Sequence, residues 1–71
     1  MLERILADRL DIDKDSISDD QDIMEDLGAD SLSVVEIIMD IEREFDMSIP
    51  DEDAEEIHTV GQLREYIENY A

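Results

Sequence analysis

Residues 27–45 read LGADSLSVVEIIMDIEREF, and this stretch decides the fold. Gly28 supplies the permissive backbone of a turn. Asp30 then offers a short carboxylate to the free backbone N–H groups of a first helical turn, and its charge suits the positive end of a helix dipole. The strongest helix of the chain is therefore predicted to start at Asp30. Its core-facing stripe has helical spacing: Val34, Ile38, Ile41 and Phe45, with Ile37 widening it.

The same helix carries a second apolar line, rotated away from the first and lying among charged residues. Leu32, Val35 and Met39 form it, again at steps of three and four. A core of this size does not need two apolar lines on one helix. The second line therefore indicates a role other than packing the core.

A first helix is predicted to begin almost at Met1 and to end at Asp11, because apolar residues recur there at helical spacing: Leu2, Ile5, Leu6 and Leu10. A long connection rich in Asp and Ser follows, up to Ala29. Connections this long in a small domain are usually functional or tied down by apolar anchors. The anchors expected here are Ile12, Ile17, Ile23, Met24 and Leu27.

Pro50 ends the central helical region, because proline lacks an N–H donor and restrains the residue before it. One short acidic helical turn is predicted within residues 51–56. Thr59 and Gln62 have the spacing of a capping box, which predicts a last helix over residues 60–69. The residues that this helix is expected to bury are Val60, Leu63, Ile67 and Tyr66.

The length of 71 residues allows one domain, residues 1–71, and excludes an enzyme with a deep, walled active site. The helical patterns make this domain all-α, with three main helices and one short helix. Cysteine is absent, so the packing of apolar side chains must stabilise the fold. The start of the chain lacks the apolar stretch of a signal peptide, and no apolar run approaches the roughly 20 residues that span a bilayer. We therefore expect a cytoplasmic protein without stable membrane insertion.

The charge of the chain indicates what kind of partner it binds. Its 23 acidic and 5 basic residues give a formal net charge of −18. Such a charge repels nucleic acid and anionic lipid head groups, so the partners are expected to be basic proteins. Residues 16–71 hold 18 acids against only Arg43 and Arg64, which places the partner surface in the later part of the chain.

Catalysis by the chain itself is not expected, because His58 is the only histidine and no nucleophile is paired with a base. A surface or capping role is predicted for His58. Acids occupy positions 1, 3, 5, 9 and 12 of a calcium-loop pattern: Asp11, Asp13, Asp15, Asp19 and Asp22. Against such a site, Ser16 replaces the turn glycine, and aspartate replaces the final glutamate. No metal site is therefore predicted, only loose, screening-type cation binding.

Residues 27–32, LGADSL, resemble the signature of acyl carrier proteins. The motif alone could arise by chance, but the acidic helix after it, and Ile-Pro-Asp and Thr-Val at matching distances, identify the chain as a member of that family. The resemblance covers nearly the whole chain, continuing through Val35-Glu36, Met39, Glu42, Glu44-Phe45, Ile49-Pro50-Asp51, Ala54-Glu55 and residues 57–60.

The resemblance implies a small four-helix bundle whose second helix begins at a modified serine, Ser31. A carrier-protein synthase would transfer 4′-phosphopantetheine from coenzyme A to Ser31, and Asp30 and Leu32, which flank it in the motif, would be the other cofactor-binding residues. The thiol of this arm would bear the acyl group, so the missing cysteine is no objection. The chain would then be a monomeric carrier without catalytic activity.

The resemblance also implies a docking helix and an acyl cavity. In the family the second helix meets basic patches on partner enzymes, here a carrier-protein synthase and the enzymes of fatty acid synthesis. The matching docking positions are Leu32, Val35, Glu36, Met39 and Glu42. The opposite side would line a space that opens around an acyl chain, and its residues are Val34, Ile38, Phe45, Ala54, Ile57 and Leu63.

Three features depart from the family's pattern. Ser33 stands where an aspartate is typical and Arg43 where a glutamate is common, so the docking surface loses acidic charge, and the first helix is shorter than usual. Ala29 before Asp30-Ser31 favours fatty acid synthesis. Ser33 and Arg43 leave open a specialised carrier that serves polyketide, nonribosomal peptide or lipid-modification enzymes. Outside the family, the alternative is an acidic helical adaptor or a calcium-binding module.

Overall fold

A computed structural model describes residues 2–70; Met1 and Ala71, the ends of the predicted domain 1–71, lie outside the described residues. The all-α prediction of three main helices and one short helix is confirmed in this range. None of these helices has the length and apolar character that crossing a membrane requires. Their bounds are α1 (Leu2–Leu10), α2 (Ser31–Phe45), α3 (Asp51–Ala54) and α4 (Val60–Tyr70).

The core of residues 2–70 contains no buried polar side chain. Three helices build most of it, since its most completely buried side chains come from α1, α2 and α4. Burying one such side chain contributes roughly 1.5–3 kcal/mol to the stability of the fold. This packing stabilises a chain that cannot form disulfides. These side chains are Leu6, Ile37, Ile41, Val60 and Leu63.

The buried stripe of α2 is centred on other residues than the sequence predicts. Ile37 and Ile41 are almost completely buried, at 1% and 0% exposure. Val34, Ile38 and Phe45 are only half-buried. The residue expected to widen the stripe, Ile37, is therefore at its centre, because α2 turns its Ile37–Ile41 edge into the core.

The ends of α2 follow from local chemistry. Asp30 is the N-cap residue, and its Oδ1 accepts a hydrogen bond from the Ser33 backbone N–H at 2.8 Å. The predicted start at Asp30 is thus confirmed. At the other end, Asp46 adopts a left-handed conformation with φ 51°, and its N–H donates to the carbonyl of Glu42, which closes the last turn.

The connection between α1 and α2 contains one element that the sequence analysis missed, a 3₁₀-helix over Lys14–Ser16. The carboxylate of Asp13 caps it by accepting a hydrogen bond from the N–H of Asp15 at 2.9 Å. Among the predicted anchors, Ile23 is buried, but the prediction for Met24 is wrong, since 48% of Met24 is exposed. Both cannot face the core, because they are consecutive in a tight turn.

Main-chain hydrogen bonds join this connection to the start of α4. The N–H of Ile23 donates to the carbonyl of His58 at 2.9 Å, and the N–H of Val60 donates to the carbonyl of Gln21 at 3.1 Å. The N–H of Gly61 donates to the carbonyl of Asp19 at 2.8 Å. The connection is therefore fixed although it has little regular structure of its own.

The last helix begins as predicted, with a reciprocal capping box. Gln62 Oε1 accepts from the N–H of Thr59, and Thr59 Oγ1 accepts from the N–H of Gln62, both at 3.1 Å. The helix buries Val60, Leu63 and Ile67 and ends at Tyr70.

The short helix α3 is tied to α4 from outside. It follows Pro50 and has no side-chain cap of its own. The Tyr66 hydroxyl of α4 donates to Asp53 Oδ2 at 2.7 Å. This hydrogen bond ties α3 to α4.

Candidate functional site

Ser31 is presented to solvent by the turn that precedes it. Gly28 adopts φ +81°, a conformation that side chains other than glycine's disfavour. Ala29 is buried, and its N–H donates to the carbonyl of Ile23 at 3.1 Å, which fixes the turn on the core. Ser31 is then the first residue of α2 and is exposed.

The electrostatic surroundings of Ser31 favour an anionic substituent on its hydroxyl. Hydrogen bonds from Ser33, chiefly from its backbone N–H, lower the pKa of Asp30, so this carboxylate stays ionised and keeps its capping position. The N-terminus of the 15-residue α2 carries a partial positive charge from its aligned peptide dipoles. Phosphate groups are commonly accommodated at such helix ends.

A cavity of about 470 Å³ opens beside Ser31, between α2, the α3 segment and α4. Its lining is mainly apolar, and Ser31 is part of it. A group attached to the serine hydroxyl can therefore reach an apolar interior directly. The apolar side chains that line the cavity include Val34, Ile38, Ala54, Ile57 and Leu63.

The structure brings together five of the six residues predicted for the cavity but places Phe45 elsewhere. Phe45 ends α2 and packs half-buried against the core. It lies 14 positions beyond Ser31, or about 21 Å along the helix, because an α-helix rises about 1.5 Å per residue. Phe45 is therefore at the far end of α2 from Ser31 and is not among the residues that line this cavity.

The sequence analysis missed several cavity residues, and Val35, which it assigned to the docking surface, also lines the cavity. Ile37 was assigned to the core alone, although it also lines the cavity. Ile23, Met24 and His58 reach it from loops that the main-chain hydrogen bonds described above hold together. No local pattern predicts such contacts, because they depend on how two distant loops pair.

The second apolar line of α2 is exposed. The exposed fractions of Leu32, Val35 and Met39 are 67%, 53% and 52%, and all three lie on one face of the helix. Arg43 is exposed further along the helix, with 72% of its side chain accessible. The surface is thus an apolar strip with a mixture of charges beside it.

Both acids predicted for this surface make internal contacts. Glu36 Oε2 lies 3.4 Å from Arg9 Nη1 of α1. Glu42 Oε2 accepts a hydrogen bond from the N–H of Ile49 at 2.7 Å and so ties the end of α2 to the segment before α3. The sequence analysis missed both contacts, because each joins a residue of α2 to a residue outside α2. No local sequence pattern indicates which residues of two such segments will meet.

His58 has the capping role that was predicted for it, through its main chain. Its N–H donates to Gln62 Oε1 at 2.7 Å, and its carbonyl accepts from Ile23. Carboxylates of the calcium-loop pattern are also engaged locally: Asp22 Oδ1 accepts from the N–H groups of Met24 and Glu25, both at 2.9 Å. Within residues 2–70, no three acidic or histidine side chains are grouped closely enough to hold a metal ion.

Comparisons with known proteins show the family to which the chain belongs. The family model described as "Phosphopantetheine attachment site" matches residues 2–67. The chain is 52% identical to acyl carrier proteins from strains of Clostridium perfringens over 66 residues, which cover 93% of this chain and 87% of theirs.

Solved structures show the same fold. A structure assigned as an acyl carrier protein from Mycobacterium tuberculosis has a TM-score of 0.91 at 32% identity, covering 96% of this chain and 90% of that one. The acyl carrier protein from Enterococcus faecalis has a TM-score of 0.84 at 41% identity, covering 99% and 89%. The chain therefore belongs to the acyl carrier proteins, helical carriers that are not catalysts and whose cofactor is covalently attached 4′-phosphopantetheine.

Proposed function

We propose that Ser31 is the attachment site of the arm and that the chain carries acyl groups as thioesters in fatty acid biosynthesis. One observation supports this most strongly. The exposed hydroxyl of Ser31 begins α2 and lines an apolar cavity of about 470 Å³. When bound, the arm supplies a terminal thiol, which is the group that forms thioesters.

The residues around Ser31 have separate tasks in this proposal. Asp30 holds the first turn of α2, and the positive end of the helix offsets the charge of a phosphodiester on Ser31. Val34, Ile38 and Leu63 remove an acyl chain from water. Each buried methylene group contributes up to ~0.8 kcal/mol to that transfer.

Partner enzymes are proposed to dock on α2. The apolar strip of Leu32, Val35 and Met39 would make the contact, with Glu36 and Glu42 offering charge to basic patches. A carrier-protein synthase and the enzymes of fatty acid synthesis are the expected partners. The carrier is proposed to work as a monomer in the cytoplasm.

A specialised carrier for polyketide, nonribosomal peptide or lipid-modification enzymes is the second candidate. Arg43 favours it, because this exposed cation stands on the helix that would face basic partners. Ser33 favours it too, since an uncharged residue occupies the first turn of the same helix. Partners that accept both residues would have a less basic patch than a general fatty-acid enzyme.

Intact mass spectrometry tests the attachment site. Incubation with coenzyme A and a broad-specificity carrier-protein synthase is expected to add one phosphopantetheine to the chain. Ser31→Ala should stay folded and gain nothing, whereas the control Ser33→Ala should still be modified. Modification of Ser31→Ala, located by peptide mapping, would refute the assignment.

Melting curves of loaded protein test the cavity. Acyl chains on the arm should raise the melting temperature with increasing length and then level off as the cavity fills. Ile38→Phe should abolish the gain from long chains, because its ring occupies the cavity from α2. If long chains give no gain over the bare arm in the unmutated protein, the cargo stays outside and the second candidate is favoured.

A further inference from the structure

Arg9 of α1 reaches across to α2 and contacts two of its acids. The guanidinium Nε and Nη2 donate to the two carboxylate oxygens of Asp40, at 2.5 and 3.0 Å. Its Nη1 donates to Glu36 Oε2 at 3.4 Å. One arginine of the carrier thus binds two carboxylates of its own docking helix.

The two acids have different roles in this contact. The Asp40 side chain is only 17% exposed and accepts both parallel hydrogen bonds, so it anchors the guanidinium. The hydrogen bond from Arg9 lowers the pKa of Asp40, which keeps this carboxylate ionised near neutral pH. The Glu36 side chain is 44% exposed and receives only the longer bond. Glu36 is therefore the acid that a partner could still reach.

Glu36 stands beside the apolar strip. It follows Leu32 by four positions and precedes Met39 by three, spacings that place side chains next to one another on a helix surface. A basic side chain from a partner on this strip would approach the same carboxylate that Arg9 Nη1 contacts. Arg9 and such a partner side chain would compete for one acceptor.

We propose that Arg9 is a specificity determinant for docking, which lowers the affinity of α2 for strongly basic partners by neutralising Glu36 from within the chain. This inference rests on the proposed docking function of α2. It implies a preferred partner whose basic patch is small and leaves Glu36 to Arg9, with the apolar strip as the main contact. For such a partner the strip of Leu32, Val35 and Met39 is fully available, whereas a strongly basic patch must first displace Arg9.

Arm transfer by a broad-specificity synthase tests the inference. Arg9→Gln removes the competitor, and Arg4→Gln is the matched control. Arg4 carries the same charge on the same helix, is exposed, and makes no side-chain hydrogen bond or ion pair within the described residues. At low salt, kcat/KM should rise about two- to fivefold for Arg9→Gln over Arg4→Gln, the range expected for one surface ion pair. The gain should vanish near about 0.5 M salt.

A second mutation distinguishes competition for Glu36 from a purely structural role, in which Arg9 only holds α1 against α2. In a Glu36→Gln background, Arg9→Gln should give no gain, because the contested acceptor is already uncharged. A purely structural role for Arg9 predicts unchanged or slower transfer in both backgrounds. Should Arg9→Gln fail to fold by circular dichroism, Arg9→Lys keeps the charge but loses the two-pronged contact, and a smaller rise is expected.

The outcomes are distinguishable. Equal kcat/KM for Arg9→Gln and Arg4→Gln in folded proteins would overturn the role of Arg9 and leave the carrier function standing. If the unmutated chain itself accepts no arm, the proposed function fails, and this inference fails with it. A rise for Arg9→Gln that persists at high salt would also contradict the proposal, since competition between charges must be screened.

Discussion

Ser31 depends for its exposure on the three residues before it. Gly28 turns the chain, Ala29 fixes the turn on the core, and Asp30 caps the helix that Ser31 begins. They set where the hydroxyl stands, so a change in any of them is expected to alter stability or the position of Ser31 before it alters chemistry.

Gly28→Ala is expected to lower the free energy of unfolding by about 1–2 kcal/mol, the cost of a left-handed conformation for a residue with a β-carbon. Steric contact is not the cause, because a β-carbon at Gly28 meets no described atom within 4 Å. Gly28→Asn should cost less, since asparagine tolerates this conformation. Urea unfolding measures both. Equal losses for alanine and asparagine would indicate a cause other than backbone strain.

At the scale of elements, the helices were predictable, but the contacts between them were not. The apolar period and the caps at Asp30 and Thr59 are local, so the starts of α2 and α4 follow from neighbouring residues. The wrong prediction of Met24 in the core, and the position of Phe45 outside the cavity lining, both depend on how distant segments face each other. The contact of Arg9 with Asp40 was missed for the same reason.

The same difference between local patterns and contacts of distant segments applies to the candidate site. The serine motif and the exposed apolar strip could be predicted, because each lies within one helix and its preceding turn. The lining contributed by Ile23, Met24 and His58 could not, because these residues come from two loops paired through the main chain. Resemblance to a family supplied the cofactor, which no pattern of residues alone would have named.

The hydrogen bond between Tyr66 of α4 and Asp53 of α3 makes the stability of the protein depend on pH in the alkaline range. The hydrogen bond to Asp53 raises the pKa of Tyr66 to about 12, above the value of about 10 for an unfolded tyrosine. A raised folded pKa contributes stability below pH ~10, which is lost as pH rises toward ~12. Tyr66→Phe should therefore melt lower than the unmutated protein at neutral pH, and the difference should disappear across this range.

Tyr70→Phe is the control for this prediction. Tyr70 stacks on Tyr66 with ring centroids 4.4 Å apart, but its hydroxyl donates no hydrogen bond within residues 2–70. Thermal melts at several pH values between about 8 and 12 make the comparison. A constant difference between Tyr66→Phe and the unmutated protein would mean that the hydrogen bond to Asp53 does not stabilise α3.

At the scale of the whole molecule, the net charge of −18 opposes folding. Isolated surface ion pairs contribute only ~0–1 kcal/mol each to stability. The chain has only 5 basic residues to form them. Added salt or millimolar magnesium should therefore raise the melting temperature. A melting temperature that ignores both would show that repulsion does not limit this fold.

Acidification should first stabilise the protein and then destabilise it. Lowering the pH from 7 reduces the net negative charge and so relieves the repulsion within the chain. The pKa of Glu3 is lowered by the hydrogen bond from Arg64, and that of Asp40 by the one from Arg9. A carboxylate whose pKa is lowered by folding contributes stability above about pH 4. This contribution is lost as the pH falls through the lowered pKa. Melting curves across pH should therefore peak in the mildly acidic range.

The pairing of the long connection with the start of α4 affects which residues of this sequence can be substituted during evolution. Its bonds run between main-chain groups, so they place no demand on most of the side chains that carry them. Gly61 is the exception, because a β-carbon there would lie 3.0 Å from the Asp19 carbonyl oxygen. The loop can therefore exchange its surface residues, and with them its charge, while the backbone that supports the serine keeps its course.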